Sequence, residues 1–222
     1  MNKRVNLTIL VIFVVSLLLL AVPAQASVMI FGDGPLGDFE GSLSYNTINS
    51  SNASLTVILK NTSPVNNGGY LTAFAFNNPS NLINAVTLNA TDEHFSLLGN
   101  SIYQNGIKCA PYGYFDIGAS STRNNFLGVG DPTGGIPVGV TETFIFDFQG
   151  TGLDTLNEQS FIIALSEGKG AGEGHEFFLA RFRGFDDGGS NKTTGSVTPE
   201  PMSLALLGLG CVGLGRLRRK KI

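Results

Sequence analysis

The chain contains few histidines and cysteines, the residue types most often used in nucleophilic and transition-metal chemistry. The histidines are His94 and His175, and the cysteines are Cys109 and Cys211, far apart in the sequence. They form no CxxC and no His/Cys cluster with metal-ligand spacing. No G-x-S-x-G nucleophile motif is present, and no pattern singles out a pair of carboxylates for glycosidase chemistry. We therefore predict no catalytic residue, no bound metal and no cofactor, and expect that the chain is not an enzyme.

Three weaker patterns are candidate sites. The segment Asp186–Asn191 offers oxygen ligands for calcium, but it departs from the EF-hand spacing and lacks the downstream glutamate. The glycine-rich stretch 167–176, which contains His175, lacks the GK[ST] ending of a phosphate loop, and no helix is predicted after it. We interpret it as a flexible hairpin tip. Cys109, next to Lys108, is predicted to be a buried, inert thiol.

The distribution of charge excludes one class of partner. The 222 residues include 14 basic and 17 acidic side chains, and only 14% of the residues are charged, against about a quarter in an average soluble domain. Half of the basic residues lie at the two ends. Residues 27–198 keep 7 basic and 16 acidic residues, a balance of −9. A segment this acidic is not expected to bind nucleic acid or an anionic membrane surface.

The N-terminus has the form of a secretory signal peptide. Lys3 and Arg4 precede an apolar run over residues 7–22, and Ala24 and Ala26 form an A-x-A cleavage site. We predict that signal peptidase recognises these two alanines and removes residues 1–26. The alternative is an uncleaved membrane anchor, since the apolar run is long for a signal peptide.

The C-terminus has three parts. The triplet Pro199, Glu200 and Pro201 is followed by an apolar stretch over residues 202–215 and then by a basic cluster. The apolar stretch would be about 21 Å long as a helix, shorter than a hydrocarbon core of about 30 Å. By the positive-inside rule both basic ends stay in the cytoplasm while the middle is translocated. The membrane-orienting basic cluster comprises Arg216, Arg218, Arg219, Lys220 and Lys221.

The segment 197–222 resembles the PEP-CTERM domain, a C-terminal sorting signal of exported proteins in Gram-negative and related bacteria. Thr198 stands where valine often precedes the triplet in that family. The resemblance implies that an exosortase, a membrane transpeptidase-like enzyme, recognises Pro199–Pro201, and that the membrane holds the chain through the C-terminal helix at least transiently. It also implies location in the cell envelope, at the cell surface or in the extracellular matrix, and association with exopolysaccharide and biofilm.

Between the two ends, short alternating runs separated by Asn, Gly, Pro and Ser predict strands. Leu55, Val57 and Leu59 share one face, as do the phenylalanines of Phe144–Phe148. In 178–183, Phe178, Ala180 and Phe182 lie opposite the two arginines. The predicted strands are Gly41–Ile48, Ser54–Lys60, Tyr70–Asn77, Ala85–Ala90, Val138–Gln149, Ser160–Ser166 and Glu176–Gly184, with weaker candidates Phe95–Leu98, Tyr112–Ile117 and Asn124–Val129.

These patterns predict an all-β fold. We expect an antiparallel β-sandwich or jelly roll over residues 27–185, without helices, and a flexible linker over 186–198. A signal helix precedes this body, and a sorting signal with a transmembrane helix follows it over 199–222. Phenylalanines packed between two sheets would fill the core of a body that has no tryptophan.

The favoured function is that of a structural, adhesive or exopolysaccharide-associated module. Tyr112 and Tyr114 are candidates for stacking on sugars, although at least one of them is expected to pack in the core. Two alternatives remain open: a secreted hydrolase acting on polysaccharide, and an uncleaved membrane-anchored binding module.

Overall fold

The structure, a computed structural model, describes residues 27–122, 125–128 and 130–198. Within these residues the chain forms fifteen β-strands and one short α-helix, α1 (Glu158–Ile163). The strands are β1 (Val28–Gly32), β2 (Phe39–Asn49), β3 (Asn52–Asn61), β4 (Gly68–Phe76), β5 (Ile83–Ala90), β6 (Ser96–Leu98), β7 (Ile107–Lys108), β8 (Tyr112–Phe115), β9 (Ile117–Ser120), β10 (Ile136–Pro137), β11 (Thr141–Gly150), β12 (Glu167–Gly172), β13 (Phe178–Phe185), β14 (Ser190–Thr194) and β15 (Ser196–Val197).

The strands form three antiparallel sheets. The first sheet has the order β15-β1-β2-β3-β11-β5, and the second has the order β14-β13-β4-β9-β6, with β10 also paired to β4. The first and second sheets contribute opposed side chains to one core, as in a β-sandwich. A small third sheet, β12-β8-β7, completes the set. The all-β prediction is therefore confirmed.

Buried and exposed residues alternate along β3 with a period of two, as the sequence predicts. Leu55, Val57 and Leu59 of β3 are completely buried. Strand β3 pairs with β11 so that Val57 lies opposite Phe144. On the other face of the same strand, Ile58 is 37% exposed. A slip of one residue would exchange the two faces, so burial of one face specifies the register.

Phenylalanine rings fill the space between the first and second sheets. Phe74 of β4 meets Phe144 of β11 edge-on at a centroid distance of 4.7 Å. Phe76 and Phe146 repeat the arrangement at 5.0 Å. Such pairs contribute about 0.5–1.5 kcal/mol each beyond the burial of their area. These contacts explain how the core closes without tryptophan.

A second apolar cluster lies on the outer face of the second sheet. Ala73, Ala75 and Leu179 point away from the main core and pack with Ile107 and Phe115. The last two residues belong to β7 and β8 of the third sheet. The third sheet therefore covers part of the second sheet from outside.

The predicted strand Ser160–Ser166 is wrong, as is the expected absence of helices. Residues 158–163 form α1, which begins with a capping box between Asn157 and Ser160. A helix of six residues makes fewer than two turns, so the sequence shows no helical periodicity there. Phe161 of this helix nevertheless packs into the main core.

The predicted flexible linker 186–198 is also wrong for most of its length. Strand β14 pairs with β13 over five residues, and β15 pairs with β1. The polar side chains that predict a linker lie largely in two edge strands, where only one face has to be apolar. Thr193, inside this segment, is 3% exposed.

Two other expectations need correction. The glycine-rich stretch 167–176 contributes β12, which pairs with β8, so it is part of the third sheet rather than a free hairpin tip. Gly172 has a φ of +108°, and a Cβ there would collide with the carbonyl oxygen of Pro111. The weak strand predicted at Asn124–Val129 lies partly outside the described residues, and residues 125–128 form no strand.

Candidate functional site

The residues predicted to direct processing lie outside the described part of the chain. The structure describes the segments that lead to them, ending at Ser27 on one side and at Thr198 on the other. The predicted residues concerned are Ala24, Ala26, Pro199, Glu200, Pro201, Arg216, Arg218, Arg219, Lys220 and Lys221.

The two ends of the body leave the fold side by side. In the antiparallel pair β1–β15, Ile30 lies opposite Val197 and Phe31 lies opposite Ser196. One residue further on, the N–H of Thr198 donates a hydrogen bond of 3.1 Å to the carbonyl oxygen of Met29. Neighbouring strands are about 5 Å apart. The predicted signal-peptidase site and the predicted sorting motif therefore follow directly on adjacent strand ends.

A cleft of about 580 Å³ lies beside this pair of strands. Its lining includes Met29 and Phe31, which are 52% and 38% exposed. Asp33, Asp38 and Glu40 supply carboxylates, and Thr198 is also part of the lining. The cleft thus combines exposed apolar side chains with acidic ones, next to the last described residue before the predicted motif.

Each histidine has a local contact, His94 through its side chain and His175 through its backbone. His94 is exposed, and its Nδ1 lies 2.6 Å from the Asp92 carboxylate, which raises the pKa of His94. His175 has a φ of +76°, and its backbone N–H donates to the carbonyl oxygen of Ser166. Over the described residues, no group of three His, Cys, Asp or Glu side chains has the arrangement of a metal site.

The acidic pair considered for calcium forms the turn between β13 and β14. The Asp187 carboxylate accepts the N–H of Gly189 at 2.7 Å, which is an Asx-type turn. The backbone N–H of Asp186 donates to the carbonyl oxygen of Asn67. The Asp187 carboxylate thus helps to close the hairpin, and the backbone of Asp186 links its turn to the segment that precedes β4.

Cys109 and the two tyrosines lie near the third sheet. Cys109 is completely buried in the second apolar cluster, and burial raises the pKa of its thiol. Tyr112 packs against the same cluster, as expected for at least one tyrosine, and Tyr114 is half-buried in β8. Neither ring is a fully exposed platform for a sugar.

Three cations that the sequence did not bring together lie on one face of the second sheet. Arg181 and Arg183 occupy β13, on the side opposite Phe182, as the alternation predicts. Lys192 of β14 lies directly opposite Arg181. The sequence analysis missed the proximity of Lys192 to Arg181 because it assigned residues 186–198 to a linker. A hairpin with its turn at Asp-Asp-Gly-Gly would have predicted that proximity. We call Arg181, Arg183 and Lys192 the cationic row.

None of the helices in the described residues is long and apolar enough to cross a membrane. Comparison of the chain with protein-family models and with the curated proteins finds no match.

Proposed function

We propose that the chain is an exported protein of the cell envelope or extracellular matrix of a Gram-negative-type bacterium. An exosortase sorts it through the PEP-CTERM segment 199–222, after signal peptidase has cut between Ala26 and Ser27. A signal helix and a C-terminal transmembrane helix flank the body before processing. The body acts as a non-enzymatic structural, adhesive or exopolysaccharide-associated β-module.

The observation that carries this proposal is the pairing of β1 with β15. Because Ile30 lies opposite Val197 and the Thr198 N–H reaches Met29, the first and last described residues of the body lie close together at one edge of the first sheet. A body with its two ends together can be held by both segments in a single membrane while its bulk stays on the translocated side. This placement agrees with the positive-inside rule applied to the two basic ends.

The contacts of the polar side chains support a module rather than a reactive centre. His94 is held by Asp92, and Asp187 closes a hairpin turn. Burial keeps the Cys109 thiol protonated and away from solvent. Each of these candidates for chemistry thus has a role in the fold.

The proposal is tested by the intact mass of the exported protein from its native host and from a strain without exosortase. We expect the host protein to begin at Ser27 and to end near Pro199–Pro201, with or without an added group. The strain without exosortase should retain the chain to Ile222. Retention of Ile222 in both strains would overturn the sorting claim and favour the uncleaved membrane-anchored module.

Two variants sharpen the test. Replacing Pro199, Glu200 and Pro201 by alanine should abolish processing at the C-terminus. Thr198→Val restores the residue common in the family and leaves the backbone hydrogen bond to Met29 intact, so it should be processed like the unaltered chain. Equal processing of both variants would mean that the processing enzyme does not recognise the triplet.

A further inference from the structure

The cationic row is a compact set of like charges. Arg181 and Lys192 are paired across β13 and β14, and Arg183 lies two residues further along β13. Directly opposed residues of an antiparallel pair have Cβ atoms about 5 Å apart, and like charges at this distance destabilise the sheet. The three side chains are half-buried, so solvent screens this repulsion only in part.

The surroundings do not neutralise these charges. Among the described residues, no carboxylate lies within ion-pair distance of the row, and the two ion pairs found are His94–Asp92 and Lys169–Glu167. Desolvation and the neighbouring cation lower the pKa of Arg181 and of Lys192. Such unpaired, desolvated cations are costly. The body has 16 acidic residues, yet no described one forms an ion pair with the row.

Over the residues that the structure describes, some hydrogen-bonding capacity of the row is unused. Nε of Arg181 and Nη1 of Arg183 are buried and have no partner among the described residues. The Arg183 Nη2 donates to the carbonyl oxygen of Gly130 at 3.0 Å, and Lys192 Nζ donates to the carbonyl oxygen of Ala110. These carbonyl contacts hold the side chains in place and leave their charge uncompensated.

An aromatic ring and a hydroxyl group flank the row. Tyr70 of β4 lies opposite Arg183 on one side, and Ser190 of β14 lies opposite it on the other. Tyr70 is half-buried and Ser190 is exposed. Arginine next to an aromatic ring and a hydroxyl is a combination that can bind a carboxylate while a sugar ring stacks beside it.

We propose that the cationic row binds the carboxylate groups of an acidic saccharide, a polymer or oligomer that carries uronate units. This inference rests on the proposed function, because only an exported body would meet such a saccharide, and it names the ligand class of that module. The overall charge of −9 over residues 27–198 opposes polymers as densely charged as nucleic acid. A ligand with widely spaced carboxylates avoids most of that repulsion.

The test is calorimetric titration of the full chain, purified in non-ionic detergent, with trigalacturonate. Maltotriose serves as the neutral saccharide, and acetate as a carboxylate without a sugar. We expect heat of binding with trigalacturonate, weakening as salt is added, and much weaker binding of the other two ligands. Absence of binding to trigalacturonate, or equal affinity for acetate or maltotriose, would overturn the proposal.

Variants locate the binding. The double variant Arg183→Gln with Lys192→Gln should weaken binding at least about tenfold, the effect of losing charge-assisted hydrogen bonds. Lys60→Gln, which removes an exposed cation from the first sheet, should leave binding unchanged. A second control, in which glutamine replaces Arg216, Arg218, Arg219, Lys220 and Lys221, should also bind trigalacturonate with unchanged affinity. If either control loses binding while the double variant retains it, the saccharide binds outside the cationic row and the proposal is overturned.

Two further measurements keep the test decisive. Thermal unfolding of each variant checks that it is folded. If the double variant does not fold, the single variant Lys192→Gln is used in its place, because glutamine can still donate a hydrogen bond to the carbonyl oxygen of Ala110. The intact-mass experiment does not depend on ligand binding. Correct processing without binding would overturn this inference alone, whereas binding by a chain that is never processed would overturn the sorting proposal alone.

Discussion

The carboxylate of Glu158, in helix α1, accepts the backbone N–H of Tyr45 at 3.0 Å. Strand β1 covers β2 only as far as the pair Val28–Leu43, so the N–H of Tyr45 lies beyond it. The hydroxyl of Tyr45 donates to the carbonyl oxygen of Leu153 at 2.8 Å. The helix thus supplies an acceptor for one backbone N–H of β2 that β1 does not reach.

We expect Glu158→Ala to lower the free energy of unfolding by about 1–3 kcal/mol, because it leaves a buried N–H without an acceptor. Glu158→Gln keeps an acceptor oxygen and should cost less. Urea unfolding of the exported protein measures both effects. Gln159→Ala, at the exposed neighbouring position, is the control. Equal losses for Glu158→Ala and Gln159→Ala would contradict the role given to the hydrogen bond.

Asp116 makes the stability of the fold depend on pH. Burial raises its pKa above the ordinary 3.8, although its carboxylate accepts the N–H groups of Asn78 at 2.8 Å and Asn105 at 2.5 Å. The folded state therefore holds the proton more tightly than the unfolded state. The resulting stabilisation is complete below the unfolded pKa and is lost as the pH rises through the folded pKa.

Asp116→Asn removes this titration. We expect the difference in unfolding free energy between the unaltered chain and the variant to be largest at acid pH and to decrease as the pH rises through the folded pKa. Urea unfolding across a pH series measures it, and the other carboxylates cancel in the difference. A difference that grows with pH would show that the hydrogen bonds outweigh burial.

Cys109 should be unreactive in the folded protein. Its thiol is completely buried, and burial raises its pKa despite the nearby Lys192 and Arg181. In a Cys211→Ser background, where Cys109 is the remaining thiol, we expect iodoacetamide to modify the native chain at least about tenfold more slowly than the unfolded chain. Mass spectrometry follows the reaction. Similar rates in the two states would mean that the thiol is accessible.

Strand β15 should control access to the predicted sorting motif. Two residue pairs with β1 and the Thr198–Met29 hydrogen bond hold it, and an enzyme that binds the motif in an extended form needs the adjacent residues free. A disulfide between cysteines at Phe31 and Ser196, which lie opposite each other, should prevent opening and cause unprocessed chain to accumulate. Intact mass measures this accumulation.

The single variant Ser196→Cys is the matched control, because it changes the same strand without a cross-link. It should be processed normally, and reduction of the disulfide in the double variant should restore processing. Normal processing of the cross-linked chain would show that the motif is accessible while β15 remains paired.

Local pattern was enough to predict the main core. The alternation of Leu55, Val57 and Leu59, and of the phenylalanines in β11, predicts both strands and their buried faces, because the side-chain period of a strand is a local property. The same property placed Arg181 and Arg183 opposite Phe182. It could not identify α1, which is too short to show a period.

The sequence by itself determined the all-β class, the faces of the long strands and the composition of the two predicted sorting segments. Only the tertiary structure decided which strands are neighbours. The pairing of β15 with β1 depends on contacts between residues that are distant in the sequence. The pairing of Lys192 with Arg181 involves a polar segment, and the composition of such a segment does not distinguish an edge strand from a linker. Both the adjacent ends of the described body and the cationic row arise from such pairings.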